Sequence, residues 1–438
     1  MTKTARLLLI TAIALATLLA AACVAESEPD TTATEAETAS MSDESDSTQA
    51  AAPAQQSDES AKTEEAVEDD SGEMMDEPAV TSAAKARPDD AMVAPELTGI
   101  VGWLNTEPFT LESQRGNVVL IDFWTYTCIN CIRTLPYLKE WHEKYVDEGL
   151  VIIGVHTPEF EFEKELNNVK SAVQERELKY AIAQDNEFKT WDAYENRFWP
   201  AKYLIDKDGY VRYEHFGEGA YDETEMKIRE LLSETGASVE AIAVNEDPFP
   251  EVDPLANSGD ILTSLTRELY AGYHRNYSAR FGGNTPPYIV SQKYYEGTDT
   301  DTLYEAPGEY VNHFLYLHGL WNNGPESIRH ARVTDDYEDY IAIAFYANNV
   351  NVVMSPQGGD PYHVRVIIDE GPLDPNLAGT DVMFDADGNS YVVVDEARMY
   401  EVVRSSEFVN RELRLSSNST DFSLFAYTFG AYKEQATS

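Results

Sequence analysis

The sequence predicts an α/β domain with a central sheet, followed by an all-β sandwich of jelly-roll type, behind a disordered acidic N-terminal linker. Three observations predict it. Strand-like and helix-like apolar periodicities alternate between residues 95 and 240. From Tyr340 onward, short apolar runs are separated by Gly-, Pro- and Asn-rich turns. Residues 24–94 are built from Ala, Ser, Thr, Glu and Asp, and Val24–Asp90 holds twenty acidic residues against three basic ones. Such a segment buries too little apolar surface to offset chain entropy.

In the α/β part, Val118–Trp124 reads as a buried strand and Ile129 to about Tyr145 as a helix with Leu135, Leu138 and Trp141 on one face. Leu150–Val155 reads as a second buried strand, and Phe162 to about Arg176 is amphipathic. Tyr203–Asp206 and Tyr210–His215 flank Lys207-Asp208-Gly209, a hairpin signal. Asp222 is placed to cap a last helix running to Leu232.

The C-terminal part, residues 241–438, reads as strands at Tyr340–Tyr346, Val350–Met354, Tyr362–Ile368, Ser390–Val394, Met399–Val403, Glu412–Ser416 and Phe422–Tyr432. Turns are expected at Pro356-Gln357-Gly358-Gly359 and at Asp385–Asn389. It has no cysteine and no His pair at metal spacing. Its aromatics, among them Tyr294, Tyr295, Tyr310, Tyr316, Trp321 and Tyr362, are expected mainly to fill the sandwich, with a sugar-stacking platform as the other use.

The N-terminus has the pattern of an export signal. Lys3 and Arg6 precede an apolar run from Leu7 to Ala22, which is short for a spanning helix. Leu19-Ala20-Ala21-Ala22-Cys23 resembles the lipobox of bacterial lipoproteins. Residues 1–23 are therefore expected to be a signal peptide, with Cys23 lipidated and the rest of the chain extracytoplasmic, anchored to the bacterial cell membrane. A linker of about 70 residues spans roughly 45 Å as a coil, enough to hold a folded module off that membrane. The formal net charge of −46 argues against nucleic-acid partners, which need basic patches.

The chemistry sits in Cys128-Ile129-Asn130-Cys131, directly after the first buried strand. Cys23 is the only other cysteine. A structural zinc needs four ligands, and neither a second CxxC nor a suitably spaced His pair is present; His142 and His156 do not supply one. A purely structural disulfide across so short a loop constrains little of the unfolded chain. Redox chemistry is the reading that remains, and it requires no metal and no cofactor. Cys128, at the helix N-terminus, is expected to attack, and Cys131, one turn in, to resolve. Asp122 interrupts an apolar strand six residues before Cys128, and a buried carboxyl with a raised pKa suits a proton acceptor for Cys131. The filling Ile129-Asn130 lacks a cation and leans toward a reductant.

These residues resemble a family. Asp122-Phe123-Trp124-x-x-x-Cys128-x-x-Cys131, with Pro136 five residues on, is similar to the thioredoxin active-site run. Trp199-Pro200 resembles the cis-proline that faces the dithiol in thioredoxin-like folds. The phrases Trp124–Cys131, Val155–Glu159 and Trp199–Asp206 resemble DipZ-type proteins, relatives of the TlpA-like cytochrome-maturation reductases, as do Thr266–Tyr273, Glu396–Tyr400 and Phe425–Gly430 farther on. The resemblance implies Trp199, Pro200 and Trp124 as substrate-binding residues, disulfide-bearing envelope proteins as substrates, and a CcdA-like membrane electron donor acting in trans. It also implies cytochrome c maturation as one pathway.

Two other functions are compatible with the sequence. A peroxiredoxin-like peroxide reductase would use Thr125, three residues before Cys128, but Ile121 stands where its loop needs proline, and the resolving cysteine is adjacent rather than distant. An envelope protein that binds carbohydrate or a partner would use the sandwich instead. His156 and Glu159 are expected either near the dithiol or in solvent.

Overall fold

The computed structural model of the chain describes residues 92–244, 264–281, 286–356 and 358–430. Cys23 and all but residues 92–94 of the acidic linker lie outside the described residues.

The first module is a six-stranded sheet. In chain order it has β1 (Gly102–Leu104), β2 (Val118–Trp124), α1 (Ile129–Tyr145), β3 (Leu150–His156), α2 (Leu166–Glu175), β4 (Ala181–Gln184), α3 (Lys189–Ala193), β5 (Ala201–Ile205), β6 (Val211–Phe216) and α4 (Tyr221–Thr235). The strand order is β1-β4-β3-β2-β5-β6. β2 and β4 run parallel to β3, and the remaining pairs are antiparallel. This is a thioredoxin-like α/β fold. Val118, Leu120 and Trp124 pack on the face covered by α1 and α4. Val119, Ile121 and Phe123 pack on the opposite face with Trp191 and Tyr203. The period-2 alternation of a strand buried on both faces thus decides which side chains of β2 approach the dithiol.

Several expectations shift. The amphipathic stretch from Phe162 is broken into a 3-10 turn, Glu161–Lys164, followed by α2. Asp222 does not cap α4. It lies inside the first turn, and Ala220, in the left-handed region, holds the cap position without a side-chain hydrogen bond. Val93 and Ala94, assigned by composition to the linker, pair with Tyr210 and Gly209.

The second module is strand-rich. It runs β7 (Leu269–Tyr270), α5 (Tyr273–Phe281), β8 (Asp301–Tyr304), β9 (Tyr316–Asn323), β10 (Ile328–His330), β11 (Tyr340–Pro356), β12 (Tyr362–Ile368), β13 (Gly371–Pro372), β14 (Val382–Phe384), β15 (Ser390–Val394), β16 (Arg398–Ser416) and β17 (Phe422–Gly430). The sheet order is β14-β15-β12-β16-β11-β17-β10-β9-β8, and β9 also pairs with β11, so the sheet folds back on itself around one core. Two pairs of expected short strands are each one long strand. β11 keeps pairing through register shifts near Ala347–Asn351, so the Asn-rich stretch bends the strand without ending it. Tyr294, Tyr316, Trp321 and Tyr362 are buried, which takes most of the suggested sugar platform into the core.

The modules meet along an aromatic seam. Phe160 and Phe162 of the first pack edge-on to Phe425 of the second, with centroids 5.3 and 4.9 Å apart. Arg275 pairs with Glu159 at 2.7 Å.

Candidate active site

Cys128 is the N-cap of α1, and its sulfur accepts a hydrogen bond from the Cys131 N–H at 3.3 Å. It is half-buried, Cys131 is fully buried, and both are free thiols. The helix start thus gives one sulfur access to solvent and shields the other. Pro136 lies inside α1, five residues beyond Cys131.

The Trp199–Pro200 bond is cis, and the Trp199 carbonyl lies 4.0 Å from the Cys128 sulfur. Trp199 is half-buried. Its indole N–H donates to the Thr157 carbonyl at 3.0 Å, and its ring packs 4.2 Å from Trp191. Trp124 departs from the expectation of a substrate contact. It is fully buried, edge-on to His156 at 5.3 Å, and rests against Gly154, where an added Cβ would sit 2.9 Å from the indole nitrogen. Its even position on β2 points it under the sheet's helical face, so it supports the site from below.

Asp122 is buried on that same face, directly opposite Lys202 in the β2–β5 register. Burial pushes its carboxyl up to about 7, against the pull of Lys202. Burial likewise lowers the Lys202 ammonium, which Asp122, Cys131 and Glu218 counteract. The Cys131 thiol is pushed well up by burial, then by its hydrogen bond with Cys128 and by the charges of Cys128 and Asp122. With its carboxyl near 7, Asp122 is a candidate proton acceptor for Cys131, while Cys128 is partly exposed.

Sequence reasoning missed Lys202. The signal was present: it is a lone lysine in Ala201–Ile205 whose parity matches Leu204, hence the helical face. The Thr125–Thr127 segment was also undervalued. Thr127 donates to Glu163 at 2.6 Å, and Thr125 lies 3.4 Å from His156 Nε2. His156 is buried beneath this segment, stacked on Tyr126, and burial lowers its pKa to about 3. Burial pushes Glu163 up to about 7. Glu159, whose place relative to the dithiol was open, turns to Arg275 at the seam. No group of three or more His, Cys, Asp or Glu side chains fit to hold a metal occurs among the described residues.

Comparison with known proteins agrees with this geometry. The AhpC/TSA family matches residues 92–214, and the family described as thioredoxin like C-terminal domain matches residues 266–430. The thiol-disulfide oxidoreductase YkuV of Bacillus subtilis is 32% identical over 141 residues, covering 32% of this chain and 95% of that protein. Protein DipZ of Mycobacterium tuberculosis is 38% identical over 269 residues. The chain belongs to the thioredoxin-like family. The match to DipZ takes in 60% of this chain and 35% of DipZ, so the chain spans about a third of that relative's length. The thiol-disulfide oxidoreductase ResA of Bacillus cereus is 30% identical over 132 residues, 30% of this chain and 73% of that protein.

Proposed function

We propose that this DipZ-type chain reduces or exchanges protein disulfides through Cys128 and Cys131, outside the cytoplasm and tethered to the membrane by a lipid on Cys23. The observation that carries the chemistry is the asymmetry of the dithiol: Cys128 is partly exposed at a helix N-cap, and Cys131 is buried within the electrostatic influence of the buried Asp122. The named activities of YkuV and ResA support the same reading.

Cys128, as thiolate, attacks one sulfur of the substrate disulfide. That S–S bond breaks, its leaving sulfur takes up a proton, and a Cys128–substrate disulfide forms. Cys131 gives its proton to Asp122 and attacks the Cys128 sulfur, and the second substrate sulfur leaves. The substrate gains two electrons, and the chain is left with a Cys128–Cys131 disulfide. Trp199 and Pro200 line the approach, where the Trp199 carbonyl offers an extended substrate a backbone acceptor. A CcdA-like membrane donor would restore the dithiol, and cytochrome c maturation is one pathway that such a reductant serves. Tethering rests on the lipobox-like run and the acidic linker. No helix among the described residues is long and apolar enough to cross a membrane.

Cys131→Ser in the full chain tests the reaction. It accumulates mixed disulfides with envelope proteins, and Cys128→Ser accumulates none; absence of adducts in Cys131→Ser would remove the exchange reading. A reduction potential near about −270 mV makes the chain a reductant, and one near roughly −120 mV makes it an oxidant.

A peroxide reductase is the second reading, because the AhpC/TSA family matches the first module. Ile121, buried in β2, occupies the place of the proline that such a loop uses. Hydrogen peroxide consumption that outpaces reduction of a protein disulfide would favour it.

A further inference from the structure

The three residues leading into Cys128 are buried and polar. Thr125, Tyr126 and Thr127 are at most 3% exposed, so each hydroxyl needs a partner inside the protein. Two of those partners lead to the C-terminal module. The Tyr126 hydroxyl donates directly to the Ala397 carbonyl at 3.1 Å, in the bend before β16. Thr127 donates to Glu163, whose other oxygen accepts from the Glu159 and Phe160 N–H groups at 2.5 and 3.0 Å.

The turn gathered by Glu163 is also the turn the second module grips. Phe160 and Phe162 bracket Phe425 within a small cluster that includes Val353 and Ala426. The Glu161 N–H donates to Glu326 at 3.0 Å, and Glu159 holds Arg275. Glu163 is completely buried and takes no part in the proposed chemistry. Burying a carboxyl is costly unless its acceptors are filled, and these are filled by the redox segment on one side and the seam turn on the other.

We propose that Glu163 is a positioning residue through which the C-terminal module holds the Thr125–Thr127 segment, and with it Cys128, in place. The sandwich then acts on the reactive thiol through the chain Phe425–Phe160–Glu163–Thr127. This rests on the reading of Cys128 as the attacking thiol.

The test uses the reduced full chain and the second-order rate of Cys128 alkylation by iodoacetamide. Glu163→Gln, Thr127→Val and Phe425→Ala are each expected to slow alkylation about fivefold, on the scale of one internal hydrogen bond. Thr127→Ser, which keeps the hydroxyl, restores the wild-type rate. Glu163→Gln combined with Phe425→Ala is no slower than the worse single variant, because both cut one chain. Far-ultraviolet circular dichroism and thermal melts separate these effects from unfolding, and the threonine pair carries the test if Glu163→Gln fails to fold. Rates within twofold of wild type for Thr127→Val, or a slow Glu163→Gln beside an unchanged Phe425→Ala, would overturn the proposal. Alkylation requires no disulfide substrate, so failure here is distinguishable from failure of mixed-disulfide trapping.

Discussion

Asp122 and Lys202 sit directly opposite each other on neighbouring antiparallel strands, both buried, and neither Asp122 Oδ1 nor Lys202 Nζ has a hydrogen-bond partner among the described residues. Two ionisable groups under-satisfied in one apolar space are costly to stability. They lie on the face that also holds Cys131, whose charged form raises the Lys202 pKa. The pair therefore couples the folding energetics of the sheet to the protonation of the Cys131 thiol.

Asp122→Asn is expected to stabilise the chain at alkaline pH and slow resolution. The Asp122 carboxyl moves from 3.8 to about 7 on folding. Between those values the folded state keeps a proton that the unfolded state releases, so stability from this group falls as pH rises from about 4 to 7. Asparagine removes that loss, a gain on the order of 4 kcal/mol at pH 8 and close to none at pH 4. Denaturant titrations at the two pH values measure it. An equal effect at both would disprove titration of Asp122.

Lys202→Met keeps an unbranched chain one atom shorter and removes the charge. Lys202 lowers the Asp122 pKa, so its loss raises that pKa further. Asp122 then accepts a proton only at higher pH, and the pH profile of mixed-disulfide resolution moves up by about one unit or more. A merely structural lysine would lower stability and leave the midpoint where it is.

His156 titrates in the opposite sense. Its imidazole drops from 6.5 to about 3 on folding, because burial disfavours the cation. Stability from a neutral His156 is present above pH 6.5 and is lost as pH falls toward 3. His156→Gln is expected to flatten that acid limb by about 1–3 kcal/mol, read from melting temperatures between pH 4 and 7. An unchanged slope would place the proton elsewhere.

Phe425→Ala empties the centre of the seam and is expected to cost about 3 kcal/mol of stability. Hydrogen exchange should accelerate in the Phe160–Lys164 turn as well as in β17. Acceleration confined to β17 would mean that the two modules fold independently.

Much of the site was readable in the linear pattern. The CxxC pair follows a strand that is apolar but for Asp122, which places it at a strand-to-helix junction whatever the tertiary detail. Asp122 was legible as an acid in an apolar run. Lys202 is harder to read: its parity with Leu204 puts it on the helical face, but a lysine in a short strand usually marks an exposed one. The register, which sets it opposite Asp122, shows that it is inside. Trp124 also misled. The family resemblance implied contact with substrate, but strand parity turns it inward, edge-on to His156. The long strands β11 and β16 were split in the reading because Asn-Asn and Ser-Ser-Glu stretches look like turns, and strand pairing overrides that local preference.

Local patterning thus accounts for the two modules, the dithiol, and the different exposure of Cys128 and Cys131. These follow from periodicity and spacing, which act over a few residues. The Asp122–Lys202 pairing, the burial of Glu163 under Thr127, and the contact of the sandwich with the redox segment came only with the folded chain. Each joins residues between 36 and 271 positions apart. Such partners are selected by the packing of whole elements, and no short-range signal carries that information.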